Sequence, residues 1–532
     1  QDDRPRFSED NRKITDNSNI VTYQDLHGED QSRPKSIVSN FGMTYDFNKF
    51  NQIGLSGNTF SRTMIRNSFT NYVISDALKS PISIYRRNGR TDGPESELGL
   101  AAFYLHKFKK EDHEIQFDYE YQHSPEQENN FYNDQYSVPV KETTYDNTLI
   151  HNNTNEHLLS IEYKNPIRED IMFEAGYKGD FSTGDFNYVI ENLENGNISA
   201  PVWAIDPAHS NDFRFTQNVN ALYTTYGQNI DKFSFMAGLR YEHSQIESRL
   251  ITPRDSVIPN NYSNFYPSFH LSQKIGKEGE LQLNYSRRVN RPESEDLNPN
   301  PEYNDPQNLR AGNPKLKPEF IHSIELGYQF KVGSTTIIPT LFYHNKYNGF
   351  TQITKLLPNN VFLSTRENLS RNQSAGFELV STFVIHKFLS GNLSSNVFYD
   401  QIDASNLGYS NKKSNITWSA KISATATINP TTMIQVSASY RAPQLTPQGS
   451  MLARYGINIG ARHDILKKKG SIIATISDPF NTMTESSTLE TQFLTKTSVR
   501  KRDARVFYLG FVFHFGASKK VKEEALQFDN QI

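Results

Sequence analysis

Arg287, Arg288 and Arg291 stand directly upstream of an acidic run made of Glu293, Glu295, Asp296, Glu302 and Asp305. A guanidinium grips a carboxylate or phosphate through two parallel N–H bonds, so these arginines suit an anionic ligand or lipopolysaccharide, and the acids beside them offer an internal alternative. The acids could hold Ca²⁺ through oxygen, but they lack the spacing of an EF-hand and read better as a solvated acidic loop. Tyr132, Tyr136, Tyr262, Tyr266, Trp203 and Tyr303 sit in or near long polar stretches, placed to stack on a sugar or siderophore or to pack those stretches together. Arg288, Arg291 and Tyr303 are the candidate ligand contacts. Nothing in the chain has the form GxxxxGK[ST], GxSxG or HExxH, and with 0 cysteines thiolate metal sites are excluded. The 14 histidines are scattered, and His243, His270 and His514 read as residues of a polar face or an interfacial girdle. The expectation is a protein that is not an enzyme, with no metal and no cofactor.

The elements that must position these residues are strands. In the last apolar segment, from Val506 to Phe515, Phe507, Leu509, Phe511, Phe513 and Phe515 alternate with Val506, Tyr508, Gly510, Val512 and His514. The same period recurs along the chain. Ile416, Trp418, Ala420, Ile422 and Ala424 oppose Thr417, Ser419, Lys421 and Ser423, while Phe233, Phe235, Ala237, Leu239 and Tyr241 oppose Ser234, Met236, Gly238, Arg240 and Glu242. A helix would scatter these sets around its surface, so the class is all-β. Charges such as Lys421, Arg240, Asp118, Glu120 and Glu325 on the polar face are costly in a dry core and natural in a water-filled lumen.

Composition agrees. Tyr (28) and Phe (35) are abundant while mean hydropathy is only −0.66, as expected when alternate residues face lipid and water. No apolar run approaches the roughly 18 residues of a membrane helix. A near balance of 56 Lys+Arg against 59 Asp+Glu gives no electrostatic footprint for nucleic acid. Short turns near Asn48–Asn51, Lys109–Glu114, Asn165–Asp170, Gly227–Lys232 and Asn429–Thr432 alternate with long connections over Arg62–Leu98, Ser124–Asn155, Ser182–Asn211, Ser244–Ser263 and Val289–Phe320. Such alternation marks outer-membrane barrels, with the short turns in the periplasm. The prediction is a transmembrane antiparallel β-barrel of outer-membrane type with about 20–22 strands in the complete protein. Its parts are a polar segment 1–35 with one weak strand at Ile14–Tyr23, a barrel over 36–516, and a charged periplasmic tail 517–532. The last strand, carrying Phe511, Phe513 and Phe515 toward lipid, closes the barrel and runs down to the periplasm.

The loop after Arg288 carries prolines at 292, 299, 301, 306, 314 and 318 and ends in Gly312-Asn313-Pro314-Lys315-Leu316-Lys317-Pro318-Glu319. Proline cannot donate to a ladder, so this stretch is stiff and lies outside the sheet. A strand end of the form Tyr285-Ser286-Arg287-Arg288, then a proline-rich loop, then this octad resembles the hallmark of TonB-dependent receptors. The closest likeness is to the outer-membrane β-barrel family common in Bacteroidetes, and it spans the chain from about Ile37 to Gly516. Gly312, Asn313, Pro314, Leu316, Lys317, Pro318 and Glu319 are expected to be structural, fixing where the chain re-enters the sheet.

The resemblance implies a 22-stranded barrel filled by an N-terminal plug, importing a scarce ligand such as a siderophore, glycan or peptide with energy from a TonB complex. The alternative is a non-transporting barrel serving an outer-membrane complex. Implied partners are outer-membrane lipid and lipopolysaccharide, a TonB complex reached through a plug not present in this chain, and a surface lipoprotein or other outer-membrane subunits. Counting strands back from the closing one makes Ile37–Phe47 a downward strand, which an upward strand must precede. The expectation is therefore that the native polypeptide extends upstream of Gln1, or that another chain supplies the first strands and the plug.

Overall fold

The computed structural model describes residues 5–16, 18–303, 305–409, 412–502, 505–513 and 515. Almost all of it is antiparallel sheet. β1 (Pro5–Thr15) and β2 (Val21–Asn48) are joined by a turn in which Asp16 Oδ1 accepts from the N–H groups of Ser18 and Ile20, both at 2.8 Å. Hairpins continue through β3 (Asn51–Ser75), β4 (Pro81–Lys107), β5 (Glu114–Val138), β6 (Val140–Arg168) and β7 (Ile171–Leu193). The short β8 (Trp203–Ile205) folds onto β7, and the wall proceeds through β9 (Asn211–Ile230), β10 (Phe233–Thr252), β11 (Ser256–Ile275) and β12 (Gly279–Asn290).

An interruption follows, holding the one-turn helix α1 (Ser294–Leu297) and β13 (Asn308–Arg310). β14 (Glu319–Val332) and β15 (Thr335–Tyr347) resume the wall, whereas β16 (Phe350–Leu356) and β17 (Phe362–Asn368) leave it again. β18 (Arg371–His386), β19 (Leu389–Asp403), β20 (Lys413–Asn429) and β21 (Thr432–Arg441) come next. After the small hairpin of β22 (Gln444–Thr446) and β23 (Gly449–Met451) come β24 (Arg454–Ile465), β25 (Gly470–Ser477), the hairpin of β26 (Thr484–Glu490) and β27 (Leu494–Arg502), and β28 (Val506–Phe513). The wall is one 25-stranded sheet, and β13, β16 and β17 form a separate three-stranded sheet.

Register follows the apolar alternation, since a one-residue slip would turn every side chain to the wrong face. Lys421 lies opposite Ser439 and Ile422 opposite Ala438, so polar residues share one face and apolar residues the other. Val512 pairs with Ser471, a buried residue whose hydroxyl donates to Asp464 at 2.8 Å, and Phe511 pairs with Ile472 on the opposite face. The lipid side accounts for the many exposed apolar residues, such as Leu341 and Phe377. Leu341→Lys should therefore cost about 2–4 kcal/mol, the value for a cation near the bilayer midplane. Thr340→Lys, one residue away on the lumen face, should be tolerated. Folded fractions measured by the shift in electrophoretic mobility on boiling would check both.

Two expectations are corrected here. The Ile14–Tyr23 stretch is not a strand of its own; it straddles the β1–β2 turn, and β2 runs unbroken through the boundary placed at residue 35. Three of the long connections are not loops. Arg62–Leu98 lies almost wholly within β3 and β4, which stay paired up to a turn at Asp76–Ser80, and the same holds for Ser124–Asn155 and Ser244–Ser263, whereas Ser182–Asn211 begins within β7 and is loop on both sides of β8. A tilted strand needs roughly 9–11 residues to cross the bilayer, whereas β2 to β7 have 23 to 29. Their upper halves rise beyond the membrane as a tall wall. Both faces of that wall meet water or polar groups, so the apolar alternation that betrays a strand is lost there. His514 and the tail 517–532 lie outside the described residues.

Candidate ligand site at the closed extracellular mouth

The best-buried large apolar side chains lie above the membrane zone, where two segments fold inward across the barrel. Leu297 and Leu316, both 0 % exposed, pack on Phe213, Phe215 and Ile246 of β9 and β10. On the other side Phe362 of β17 packs on Ile14 of β1 and Leu494 of β27, with the Arg12 guanidinium 5.3 Å from its ring centre. The Val289–Phe320 connection and the β16–β17 hairpin together therefore reach from one side of the mouth to the other.

Polar contacts fix this cap to the wall. Asn260 Nδ2 donates to Leu316 O at 2.9 Å, Tyr188 accepts the N–H of Tyr303 at 2.7 Å, and Gln24 meets Gln307 at 3.2 Å. Gln448, buried beside β23, accepts from Thr354 N at 2.7 Å and donates to Thr354 O at 2.9 Å, extending the small sheet like a backbone amide. Within the cap, Arg366 bonds Asp296 at 2.8 Å. Burial raises the Asp296 carboxyl above its ordinary range, and Arg366 works against that shift.

The octad is the hinge of this arrangement. The Gly312 N–H donates to Asn298 O at 2.7 Å, and a Cβ at Gly312 would lie 2.6 Å from the carbonyl of Asp296, a backbone atom that cannot swing aside. Asn313 accepts from Lys315 N at 3.0 Å to form the turn around Pro314, and its amide donates to Glu367 at 2.9 Å. The Lys317 N–H meets Asn368 Oδ1 at 2.9 Å, Pro318 O accepts from Asn348 at 3.5 Å, and Glu319, buried, begins β14.

The three candidate contacts are not brought together. Arg291 is committed to the wall, paired with Glu242 of β10 and 3.4 Å from Ser244, rather than to the acidic loop beside it. Burial works to discharge Arg291, but Tyr262 and Glu242 hold its guanidinium more firmly protonated than usual. Tyr303 lies against His209, ring centres 4.1 Å apart, on the β7 side. Arg288 is exposed on the lumen face of β12, opposite Ile321. Phe511 and Phe513 lie far from the mouth on β28 and serve the wall, and Phe515 follows as an exposed residue.

A cavity of about 280 Å³ opens instead between the cap and β5, β6 and β7. Glu126, Asn152 and Tyr188 line it from the wall, and Glu295, Arg310 and Gln352 from the cap. Carboxylates and amides, with the guanidiniums of Arg310 and of Arg366, the latter paired with Asp296, in a recess of that size suit a compact polar group carrying hydrogen-bond donors. No periodicity or motif marks Glu126, Asn152 or Gln352, because they meet only through folding of segments far apart in sequence. Among the described residues no group of His, Asp and Glu side chains is arranged to hold a metal ion.

Residues 106–513 match the model of the outer membrane protein beta-barrel family. The chain belongs to that family. It is accordingly an integral protein of the outer membrane. A sequence comparison with curated proteins finds no match. Among solved structures, the family barrel is similar to the copper transporter OprC, with a TM-score of 0.55 at 8 % identity over 94 % of this chain and 80 % of that one. It is also similar to the siderophore receptor PiuA from Acinetobacter baumannii, at 0.52 and 10 % over 94 % and 82 %. The ferric citrate transporter FecA in its unliganded form gives 0.52 and 10 % over 94 % and 79 %. At such identities the likeness concerns the fold.

Proposed function

We propose that this chain is the barrel of a TonB-dependent outer-membrane receptor that takes up a scarce ligand, a siderophore, glycan or peptide, whose first polar contact is the cavity beneath the cap. The observation that carries the reading is the cap itself. A barrel serving only as a scaffold has no need of a separately folded sheet seated across its mouth over a polar recess, whereas a receptor must bind from outside while keeping the lumen shut. The fold shared with OprC, PiuA and FecA supports the same reading, because these are a copper transporter, a siderophore receptor and a ferric citrate transporter. A plug and an inner-membrane energy source complete the proposal as partners.

The test has two parts. Growth of a deletion strain on iron chelates, glycans and peptides as limiting sources should reveal one class on which only the complemented strain grows. For that class, Glu126→Gln and Gln352→Ala should weaken binding about tenfold or more each, the loss of one hydrogen bond to a charged or polar group. Arg291→Gln should act mainly on stability through Glu242. Equal growth on every source would overturn the transport reading in favour of a structural barrel.

A further inference from the structure

The recess beneath the cap is lined by five carboxylates, Glu126 and Glu128 on β5 and Glu295, Asp296 and Glu302 on the cap, against two guanidiniums, Arg310 and Arg366. Asp296 and Arg366 neutralise each other at 2.8 Å. Glu126 accepts from the uncharged amide of Asn152 at 2.9 Å, and among the described residues neither it nor Glu128, Glu295 or Glu302 enters an ion pair. Four carboxylates are left with the single guanidinium of Arg310, an excess of three negative charges. Partial burial raises the Glu302 carboxyl above its ordinary range; Arg310 opposes the shift, and Glu295 and Glu128 add to it. The acids of the wall and of the cap thus act on one another across the recess.

A second feature, independent of charge, marks the same place. Asn211 lines the recess from the start of β9 and is only 3 % exposed. Its Oδ1 accepts from Asn298 at 3.3 Å, whereas its Nδ2 makes no hydrogen bond among the described residues. Polar side-chain atoms so far from bulk water are ordinarily satisfied. The recess therefore offers an unused donor beside its surplus of acceptors.

We propose that the group bound beneath the cap is an organic cation, a protonated amine or guanidinium, with an oxygen acceptor beside the charge for Asn211. The proposal rests on the recess being the receptor's first contact, and it narrows the ligand. Charge-assisted hydrogen bonds from such a cation are stronger than neutral ones and pair the carboxylates that the chain itself leaves without a counter-charge. An anionic chelate would bring like charge against them, which Coulomb's law disfavours. A peptide with a basic side chain carries a carbonyl near its cation, and an amino sugar carries hydroxyls. At about 280 Å³ the recess lies near the lower end of small-molecule sites, so it takes the charged unit of the ligand rather than the whole.

Calorimetry on the full chain in detergent tests this with probes that differ by one charge. An end-blocked glycyl-lysyl-glycine tripeptide is compared with its Nε-acetyl form, glucosamine with N-acetylglucosamine, and ferric citrate serves as the anion. At least one amine should bind about tenfold or more tighter than its acetylated partner, with an affinity that falls as salt rises. Whether the tripeptide or the sugar binds tighter distinguishes the two sources of the cation. Glu126→Gln and Glu128→Gln should each weaken the amine severalfold and flatten its salt dependence, while Asn211→Leu should weaken it without changing that dependence; unchanged mobility shifts on boiling show that the variants fold. Equal binding of amine and acetylated forms, tighter binding of ferric citrate, indifference to both Glu→Gln changes, or no binding of either amine would each overturn the proposal. Source-specific growth together with a preference for ferric citrate would refute the cation and keep uptake, whereas amine binding with equal growth on every source would keep the cation and refute uptake.

Discussion

Asp10→Ala should destabilise the folded protein by about 3–5 kcal/mol, the cost of removing one partner from a buried charge cluster. Asp10 lies on the part of β1 above the membrane, 5 % exposed, and its carboxylate gathers Arg12 at 2.9 Å, Lys496 at 3.2 Å and Arg500 at 3.1 Å, with Ser498 donating at 2.5 Å. Without it three cations face one another, Arg12 buried and Lys496 half-buried. Burial and Arg12 already push Lys496 below the ordinary lysine range. Asp10→Asn keeps the shape and one acceptor oxygen and should cost less. Denaturant midpoints in detergent would rank wild type, Asn and Ala in that order, and an Ala variant as stable as wild type would refute the cluster's role.

The same group gives a pH dependence of defined sign. Burial raises the Asp10 carboxyl, but Lys496 and Arg500 outweigh it, and the net effect is well below the ordinary aspartate value of 3.8. A carboxylate depressed in the folded state contributes its stabilisation fully above the unfolded value and loses it as pH falls toward the folded one. Wild type should thus lose stability progressively below about pH 3.8, and Asp10→Ala should lose this component of the acid sensitivity.

Leu316→Ala should unseat the cap. Leu316 and Leu297 are fully enclosed against Phe213, Phe215 and Ile246, and truncating a buried leucine costs about 2–5 kcal/mol. Among the described residues the small sheet of β13, β16 and β17 has no ladder to the wall, so its seating rests on such anchors and the loss should fall on the cap before the barrel. Trypsin should then cut at Arg310 or Lys315 under conditions that leave wild type whole, with the heat-dependent mobility of the barrel unchanged. Simultaneous loss of barrel and cap would mean that the two fold as one unit. Pro314→Ala with Pro318→Ala should act in the same direction more weakly, by loosening the unfolded chain as well as the turn.

The amino-acid sequence by itself determined the strand class, the faces of the membrane-level strands and the short turns, because each depends on neighbours a few residues apart: alternation places Ile422 and Lys421 on opposite faces whatever the rest of the chain does. It also determined the stiff, non-sheet character of the proline-rich loop, since a missing N–H is a local property. Tertiary structure alone decided what lies above the membrane. The pairing of β3 with β4 past Arg62 was hidden because strands wet on both faces carry no apolar signal. The parallel pairing of Asn308–Arg310 with Phe362–Ser364, the union of Arg291 with Glu242, and the cavity joining Glu126 to Gln352 each bring together residues tens to hundreds of positions apart. Such contacts are fixed by where the closed wall holds its strands, and the pattern within any one segment carries no record of them.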